Sequence, residues 1–289
     1  MEYQKAEKRK MLETILVKFK KYSLEVAIIL LLILMYYKPL LSSVLEWLNP
    51  DSFYSYGLFL PLFLVLYYKK NSKKFKETYK ISSNLGFLSL IPGIAFYFVG
   101  IRIEYQFLIN LSFIMILAGI ILLIWGRKVF IDCILPLFIV SMCLPFFSII
   151  RLTVPMQIFF SKSTALLLHA LGVKAVNIGS TVYMNGYSIS VAPGCSGLKS
   201  LLNLTVLGLM YSYFINTSLI KKTLFILSSF PISFITNILR ISLSGFYVIF
   251  NGYKGFETFH FLLGLVFYII GMFLMLFISN YIEEPMCNE

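Results

Sequence analysis

Long apolar runs, each about the length of a membrane-spanning helix, constrain this sequence more than any other feature. A spanning α-helix needs roughly 20 mostly apolar residues. Eight such runs, bounded by charged residues or Gly/Pro clusters, cover 24–41, 54–68, 84–101, 105–125, 129–149, 197–216, 223–249 and 260–282. With 59% hydrophobic and only 13% charged residues, the chain has too little polar surface for a soluble, disordered or fibrous protein. We therefore predict an all-α polytopic membrane protein with about eight transmembrane helices.

Membrane topology explains the formal net charge of +12, so no nucleic-acid partner is expected. Lys and Arg near a membrane concentrate on its cytoplasmic side. Most basic residues form four clusters, which lie within 1–22, within 69–80, at Arg127 and Lys128, and at Lys221 and Lys222. All four fall on one side if every segment crosses, including the short second one. We therefore predict a multi-pass cell-membrane protein with a cytoplasmic basic head, 1–22, and a cytoplasmic tail, 283–289.

The longest connection between the predicted spans is 150–195, and this topology places it on the outer face. Its first part, 154–171, is typical of an amphipathic helix in the membrane interface. Its second part alternates apolar and polar residues around Asn185-Gly186, a dipeptide favoured in two-residue β-hairpin turns. We predict a small β-hairpin just before Cys195, and, since no internal repeat is present, a single transmembrane domain over 1–289.

Cys195 differs from the other cysteines in its surroundings. It follows Pro193-Gly194, where an extended segment is predicted to end and a helix to begin. A cysteine at a helix N-terminus lies at the positive end of the helix dipole, and Lys199 follows one turn later; both favour the thiolate. Cys133 and Cys143 lie in an apolar run and are expected to be small, inert thiols. Cys195 is therefore the candidate nucleophile.

Arg240 lies inside a predicted span, where an ionisable side chain is costly and usually functional. Ser233, Asn237, Arg240 and Ser244 follow spacings of four, three and four residues, so they form one polar stripe on an otherwise apolar helix. Such a stripe should face the interior of the bundle. The alternative is an arginine that merely anchors a helix end by extending to the interface.

His260 opens the last predicted span, and Gly264 one turn later would allow a neighbouring helix to approach closely. The predicted topology places it near the outer face together with Cys195 and Arg240. A thiolate, an imidazole and a guanidinium at one level favour acyl transfer. The cysteine would form a thioester, the histidine would transfer the proton, and the arginine would stabilise an oxyanion or hold a substrate oxygen.

In order and local context, these residues resemble the exosortase/archaeosortase transpeptidases. The similarity comprises Pro193-Gly194-Cys195-Ser196-Gly197-Leu198, then Asn237-Ile238-Leu239-Arg240-Ile241, then His260 with Gly264. It covers most of the chain and is strongest from 140 to 265. Ser55-Tyr56-Gly57 departs from the family pattern, since many members have a histidine before this glycine.

The resemblance implies a membrane-embedded cysteine transpeptidase that cleaves secreted proteins at a C-terminal sorting signal. Such a signal consists of a short motif, a hydrophobic helix and a basic tail, and the product passes to a membrane lipid or envelope acceptor. Cys195 would be the nucleophile, Arg240 the transition-state or substrate-orienting residue, and His260 the acid/base. The resemblance implies no metal or organic cofactor.

Further hypotheses concern substrate binding. Lys199, which follows Cys195, and Asn237, which belongs to the polar stripe, are our candidate substrate-binding residues. The hairpin around Asn185-Gly186 is hypothesised to offer a strand edge to the extended motif.

Two other functions are compatible with the residues. Gly194-Cys195-Ser196-Gly197 contains a GxSG pattern, typical of a rhomboid-like intramembrane serine protease with Ser196 as nucleophile and His260 as base. That function does not explain Arg240 and its polar stripe. The second alternative is a non-enzymatic transporter or assembly scaffold in which Arg240 pairs with an anionic substrate.

Overall fold

The computed structural model describes residues 26–50, 52–77, 83–145 and 150–282. The predicted cytoplasmic head, 1–22, and tail, 283–289, lie outside the described residues. The chain divides into two compact units, Met1–Ser43 and Val44–Glu289, and all contacts discussed below lie within the second. That 1–289 forms a single transmembrane domain stays a prediction.

α-Helices make up most of the described chain. Their bounds are Val26–Leu48 (α1), Leu60–Glu77 (α2), Leu85–Arg102 (α3), Gln106–Ile124 (α4), Gly126–Cys143 (α5), Ile150–Ala170 (α6), Leu198–Ser212 (α7), Leu219–Leu227 (α8), Ser229–Asn251 (α9) and Phe256–Ile282 (α10). Short 3-10 helices, Ser55–Phe59 and Pro193–Cys195, precede α2 and α7. Three strands lie between α6 and α7: Ala175–Ile178 (β1), Thr181–Met184 (β2) and Tyr187–Ser190 (β3).

Five segments of the described chain are long and apolar enough to cross a membrane. They are α1, α3, α4, the pair α8 and α9 taken together, and α10. These segments confirm the prediction of an all-α polytopic membrane protein. The other three predicted spans correspond to α2, α5 and α7, which are also helical. However, α7 has only 15 residues, and α2 and α5 carry several charged residues. The count of eight stays a prediction.

Helix α2 continues beyond the predicted span 54–68 into the lysine-rich segment. We expected a connection from 69 to 80, but the helix ends at Glu77, and residues 78–80 lie outside the described residues. Lys and Glu are good helix formers, and neither Gly nor Pro interrupts the segment. The lysines therefore extend the helix instead of ending it.

Two lysines of α2 contact α5 and the end of α7. Lys74 Nζ of α2 lies 2.5 Å from Asp132 Oδ1, near the beginning of α5. Lys70 Nζ donates to the carbonyl oxygen of Tyr213, just after α7, at 3.2 Å. The beginning of α7 lies at the opposite end of that helix, about 22 Å away at about 1.5 Å per residue.

The predicted hairpin is confirmed as strands β2 and β3 of a three-stranded antiparallel sheet ordered β1-β2-β3. Val182 pairs with Ile189, and the two turn residues have positive φ angles, 45° at Asn185 and 87° at Gly186. Both angles suit a two-residue turn that follows the strand twist. Strand β1 was not predicted, although Gly179-Ser180 between β1 and β2 is also a two-residue turn signal.

One face of the sheet packs against helices α6 and α9. Val182 and Met184 are buried among Leu168 of α6 and Val248 of α9. Helix α6 begins at residue 150, earlier than the predicted helix 154–171, and contains a proline near its beginning. Because its side chains cover the sheet, α6 connects the strands to α9.

A tyrosine side chain occupies the outer edge of β3. The Ser188 amide donates to Tyr253 Oη at 3.0 Å, and Tyr253 Oη donates to the Ser188 carbonyl at 2.9 Å. The rings of Tyr187 and Tyr253 meet edge to face, with centroids 5.8 Å apart. Since Tyr253 lies between α9 and α10, this contact joins the sheet to the beginning of α10.

Candidate active site

Cys195 closes a short 3-10 turn between the sheet and α7. The backbone is extended at Ala192, and the Cys195 amide then donates to the Ala192 carbonyl at 2.8 Å. We predicted that Cys195 lies at the N-terminus of a helix, but α7 begins only at Leu198. The extended segment ends at Pro193-Gly194 as predicted, but the helix that begins there is a short 3-10 turn, and Gly197 redirects the chain before α7. The helix dipole acts most strongly within the first turn of α7. The thiol of Cys195 lies just outside that turn, two residues before the N-cap Gly197.

Gly197 makes this turn possible. Its φ is 70°, in the left-handed region, which costs about 1–3 kcal/mol in a residue with a side chain. A Cβ at this position would also lie 2.4 Å from Cε2 of the buried Phe160 ring. The position therefore requires glycine for both conformation and space.

The thiol of Cys195 contacts the imidazole of His260. Cys195 Sγ lies 2.8 Å from His260 Nε2. The other ring nitrogen, Nδ1, lies 2.8 Å from Ser244 Oγ of α9. The Phe256 ring stacks on the imidazole, with centroids 5.5 Å apart and planes inclined by 21°. A thiol and an imidazole at this distance can exchange a proton directly.

The predicted polar stripe of α9 faces the interior and follows the site turn by turn. Ser233 Oγ donates to the Gly197 carbonyl at 3.3 Å. Asn237 Nδ2 donates to the Cys195 carbonyl at 3.0 Å. Arg240 Nη2 lies 3.4 Å from the His260 carbonyl. The stripe therefore connects the cysteine turn to α10, and Asn237 holds the backbone of the cysteine itself. A substrate-binding role for Asn237 stays a prediction.

The guanidinium of Arg240 lies beside a very small cavity. The cavity has a volume of about 10 Å³, which is about the space that one water molecule needs. Its walls comprise Ser200, Leu204, Thr236, Asn237, Arg240, Gly264, Phe267 and Tyr268. Within the part of the chain that the structure describes, Arg240 Nε is buried without a hydrogen-bond partner. A Cβ on Gly264 would lie 2.8 Å from Arg240 Cζ, so this glycine gives the guanidinium its space.

Lys199 and Ser196 lie close to Cys195 in sequence but have other surroundings. The ammonium of Lys199 donates to the carbonyl of Pro50. Its predicted substrate-binding role stays a prediction. Ser196 is fully buried, and its hydroxyl has no hydrogen-bond partner among the described residues. Because the two ring nitrogens of His260 contact Cys195 and Ser244, this arrangement favours the cysteine over the serine as nucleophile.

Two contacts of His260 were not predicted from the sequence. Ser244 belonged to the predicted polar stripe, but its contact with His260 depends on how α9 and α10 pack. Phe256 precedes His260 by four residues, so helical spacing alone could have indicated the stacking. Among the described residues, no group of three or more His, Cys, Asp or Glu side chains is placed to hold a metal ion.

The fold and the site together define a multi-pass helical membrane protein with a thiol–imidazole pair beside a guanidinium. A family model described as transmembrane exosortase matches residues 47–277, which include every site residue discussed above. The chain belongs to the transmembrane exosortase family. No curated protein and no solved structure matches the chain.

Proposed function

We propose that this protein is a membrane-embedded cysteine transpeptidase that cleaves the C-terminal sorting signal of secreted proteins. It then transfers the new carboxyl end to a membrane lipid or an envelope acceptor. The 2.8 Å contact between Cys195 Sγ and His260 Nε2 carries this proposal, because it pairs a nucleophile with a base. Membership of the exosortase family supports the same class of reaction.

In the first half-reaction, Cys195 replaces the amine of the scissile peptide bond. His260 Nε2 accepts the thiol proton while Sγ attacks the carbonyl carbon of the substrate. The tetrahedral intermediate collapses when the C–N bond breaks and His260 returns the proton to the leaving amine. The products are a thioester on Cys195 and a released peptide that carries the hydrophobic helix and basic tail.

In the second half-reaction, an acceptor nucleophile replaces the cysteine. His260 accepts a proton from the hydroxyl or amine of the acceptor, which attacks the thioester carbonyl. The C–S bond breaks, and the proton returns to the Cys195 sulfur. If water takes the place of the acceptor, the same steps give hydrolysis.

Arg240 supplies the positive charge in this mechanism. Its guanidinium lies one helical turn from both Asn237 and Ser244, which contact the cysteine turn and the histidine ring. A carbonyl that becomes an oxyanion near Cys195 would be stabilised by this positive charge. The buried Nε without a partner supports a role in holding a substrate oxygen.

The proposed orientation places the reaction on the outer side of the cell membrane and both termini in the cytoplasm. The contacts of Lys70 and Lys74 gather basic residues at the end of α7 that lies opposite the Cys195 turn. Positive residues favour the cytoplasmic side, so the Cys195 end faces outward. This is the side on which secreted substrates arrive.

The proposal can be tested on a reporter protein that carries a C-terminal sorting signal from the same genome. We expect Cys195→Ala to abolish processing, with a loss on the order of 10⁴-fold or more in rate, because the nucleophile is removed. Ser196→Ala and Cys133→Ala are controls and should retain processing. Mass spectrometry of the Cys195 peptide should detect the thioester, which hydroxylamine should release.

Other outcomes would support the alternatives. Processing that survives Cys195→Ala but stops in Ser196→Ala would overturn the cysteine mechanism in favour of the serine protease. If neither variant changes the maturation of any reporter, the proposal fails and a transporter or scaffold function gains support.

A further inference from the structure

Hydrogen bonds connect the nucleophile to the backbone of α9 through two side chains. Cys195 Sγ contacts His260 Nε2, and His260 Nδ1 contacts Ser244 Oγ, each at 2.8 Å. Ser244 Oγ in turn donates to the carbonyl oxygen of Arg240 at 2.9 Å. Ser244 is fully buried, so water does not compete for these bonds.

The hydrogen positions in this chain follow from the chemistry of the groups. A carbonyl oxygen can only accept, so Ser244 uses its single hydroxyl hydrogen on Arg240. The Ser244 oxygen must then accept the hydrogen bond from His260 Nδ1. The neutral imidazole therefore carries its hydrogen on Nδ1 and presents the lone pair of Nε2 to Cys195.

We infer that Ser244 is a positioning residue, which holds His260 in the tautomer and orientation in which Nε2 accepts the Cys195 proton. This inference rests on the proposed function and assigns Ser244 the third position of a nucleophile, base and orienting group. When His260 becomes protonated, Nδ1 continues to donate to the same oxygen. The orientation of the ring is thus kept through both half-reactions.

The bond to the Arg240 carbonyl alone would not support this role. Serine hydroxyls within helices often donate to a carbonyl three or four residues earlier, and several serines of this protein donate to backbone carbonyls of their own helix. Ser244 differs because its oxygen also contacts a ring nitrogen on another helix, α10. That second contact connects the hydroxyl to the reacting pair.

Ser244 also fixes a property of the ring that stacking leaves open. Phe256 lies nearly parallel to the imidazole and restrains its plane. Stacking does not distinguish the ring from the same ring rotated by half a turn, which would exchange nitrogen and carbon positions. Polar partners at both ring nitrogens favour one orientation, Cys195 at Nε2 and a second group at Nδ1. Ser244 provides the group at Nδ1, and Phe256 provides the plane.

The test compares Ser244→Ala with Ser242→Ala. Ser242 is a matched control, since it is buried on the same helix and its hydroxyl has no hydrogen-bond partner in the described part of the chain. We expect Ser244→Ala to lower kcat by about 10- to 100-fold, as is typical when the partner of a functional histidine is removed, with KM nearly unchanged. Ser242→Ala should leave both constants unchanged, and Ser244→Thr should recover part of the loss.

A second measurement is independent of any substrate. In the purified full-length protein, the rate of Cys195 alkylation by iodoacetamide is followed by mass spectrometry across a range of pH. We expect Ser244→Ala to slow alkylation near neutral pH and to shift its pH dependence upward, because the base is no longer oriented. In a His260→Ala background, Ser244→Ala should add nothing, since it acts through the histidine.

The outcomes separate this inference from the proposed function. If Cys195→Ala retains processing, the proposed function fails. If Cys195 is essential but Ser244→Ala behaves like Ser242→Ala in both kcat and alkylation, only the inference is overturned. Equal losses from Ser244→Ala with and without His260 would also overturn it, because the serine would then act by another route.

Discussion

The side chain of Arg240 lowers the stability of the fold, because one of its N–H groups is buried without a hydrogen-bond partner among the described residues. A buried N–H without a partner costs about 1–3 kcal/mol. Among the described residues, Arg240 Nε is buried without one, and Nη2 makes a long contact of 3.4 Å with the His260 carbonyl. A hydrogen-bond partner for Arg240 Nε would make the folded state more stable. Under the proposed function, the incomplete pairing leaves N–H donors for an oxygen of the substrate.

Gly264→Ala should therefore impair the reaction while leaving the fold intact. The new Cβ would lie 2.8 Å from Arg240 Cζ and Nη2, so the guanidinium must move. It is the far end of a flexible side chain, and the free energy of unfolding should change little. We expect kcat on the reporter to fall at least tenfold, which corresponds to about 1.4 kcal/mol.

Gly271→Ala is the control for Gly264→Ala on the same helix. Its Cβ would meet Leu204 Cδ1 at 3.1 Å, so it should affect packing and not kcat. Thermal unfolding in detergent and reporter kinetics measure the two effects. An unchanged kcat in Gly264→Ala would show that the position of the guanidinium is unimportant.

The sequence was informative about which residues meet and less so about how they meet. The sequence predicts Cys195, Arg240 and His260 as site residues, because reactive or ionisable side chains in an apolar membrane segment are costly and usually functional. Helical spacing also predicted the buried stripe that contains Asn237 and Ser244. The contact between Ser244 and His260 was not predictable, because it depends on the packing of α9 against α10 and on the orientation of one ring.

At the scale of elements, the turn between β3 and α7 determines where the nucleophile lies. Gly197 combines a φ of 70° with a position against Phe160, so the turn and the packing of α6 depend on each other. Asn237 adds a hydrogen bond to the Cys195 carbonyl from α9. The 3-10 turn is thus held from two sides.

Gly197→Ala should destabilise the protein and disturb the Cys195 turn. The left-handed backbone costs about 1–3 kcal/mol with a side chain, and overpacking against Phe160 costs a further 1–3 kcal/mol or so. Chemical unfolding in detergent measures the sum. Gly194→Ala is the control in the same turn, since its Cβ would have no neighbour within 4 Å and its φ is not positive.

A second substitution separates the steric cost of Gly197→Ala from its backbone cost. Gly197→Ala combined with Phe160→Leu should recover the steric part of the loss but not the backbone part. If Gly197→Ala and Gly194→Ala unfold at the same denaturant concentration, the special requirement at Gly197 is refuted.

An element was predictable from the sequence where its residues have strong backbone preferences of their own. Elements that depend on contacts with other segments were not. Asn185-Gly186 specifies a hairpin turn by its backbone preferences alone, and the structure has it. Strand β1 depends on pairing with β2 and was not predicted. Cys195 was predicted to lie at a helix N-terminus after Pro193-Gly194, but a 3-10 turn begins there and Gly197 separates it from α7.

At the scale of the whole molecule, helix α7 connects two chemically different ends. One end has Lys70 at the Tyr213 carbonyl and, nearby in the bundle, Lys74 paired with Asp132. The other end leads to the Cys195 turn. The pattern of basic residues in the sequence predicted this difference between the two ends. Helix length and apolar composition identify only five candidate spans among the described residues. Helices that are short or charged are not identified in this way, because they need neighbouring helices to cross a membrane.

Labelling of two lysine positions tests the orientation. With the four native cysteines replaced, Lys174→Cys in the segment before β1 should react in intact cells with a membrane-impermeant maleimide. Lys73→Cys on α2 should react only after permeabilisation, because it lies in the predicted cytoplasmic cluster. Both residues are exposed lysines, so they form a matched pair. The reverse pattern would place the Cys195 end in the cytoplasm.

Tyr253 occupies the edge of β3 to which an extended substrate peptide is hypothesised to bind. An extended peptide that pairs with β3 at Ser188 must take both backbone groups that Tyr253 Oη now holds. Tyr253 and such a peptide would therefore compete for one set of hydrogen bonds. Tyr253 lies just before the helix that carries His260, so its contact with Ser188 places the edge of the sheet beside the segment that leads to the base.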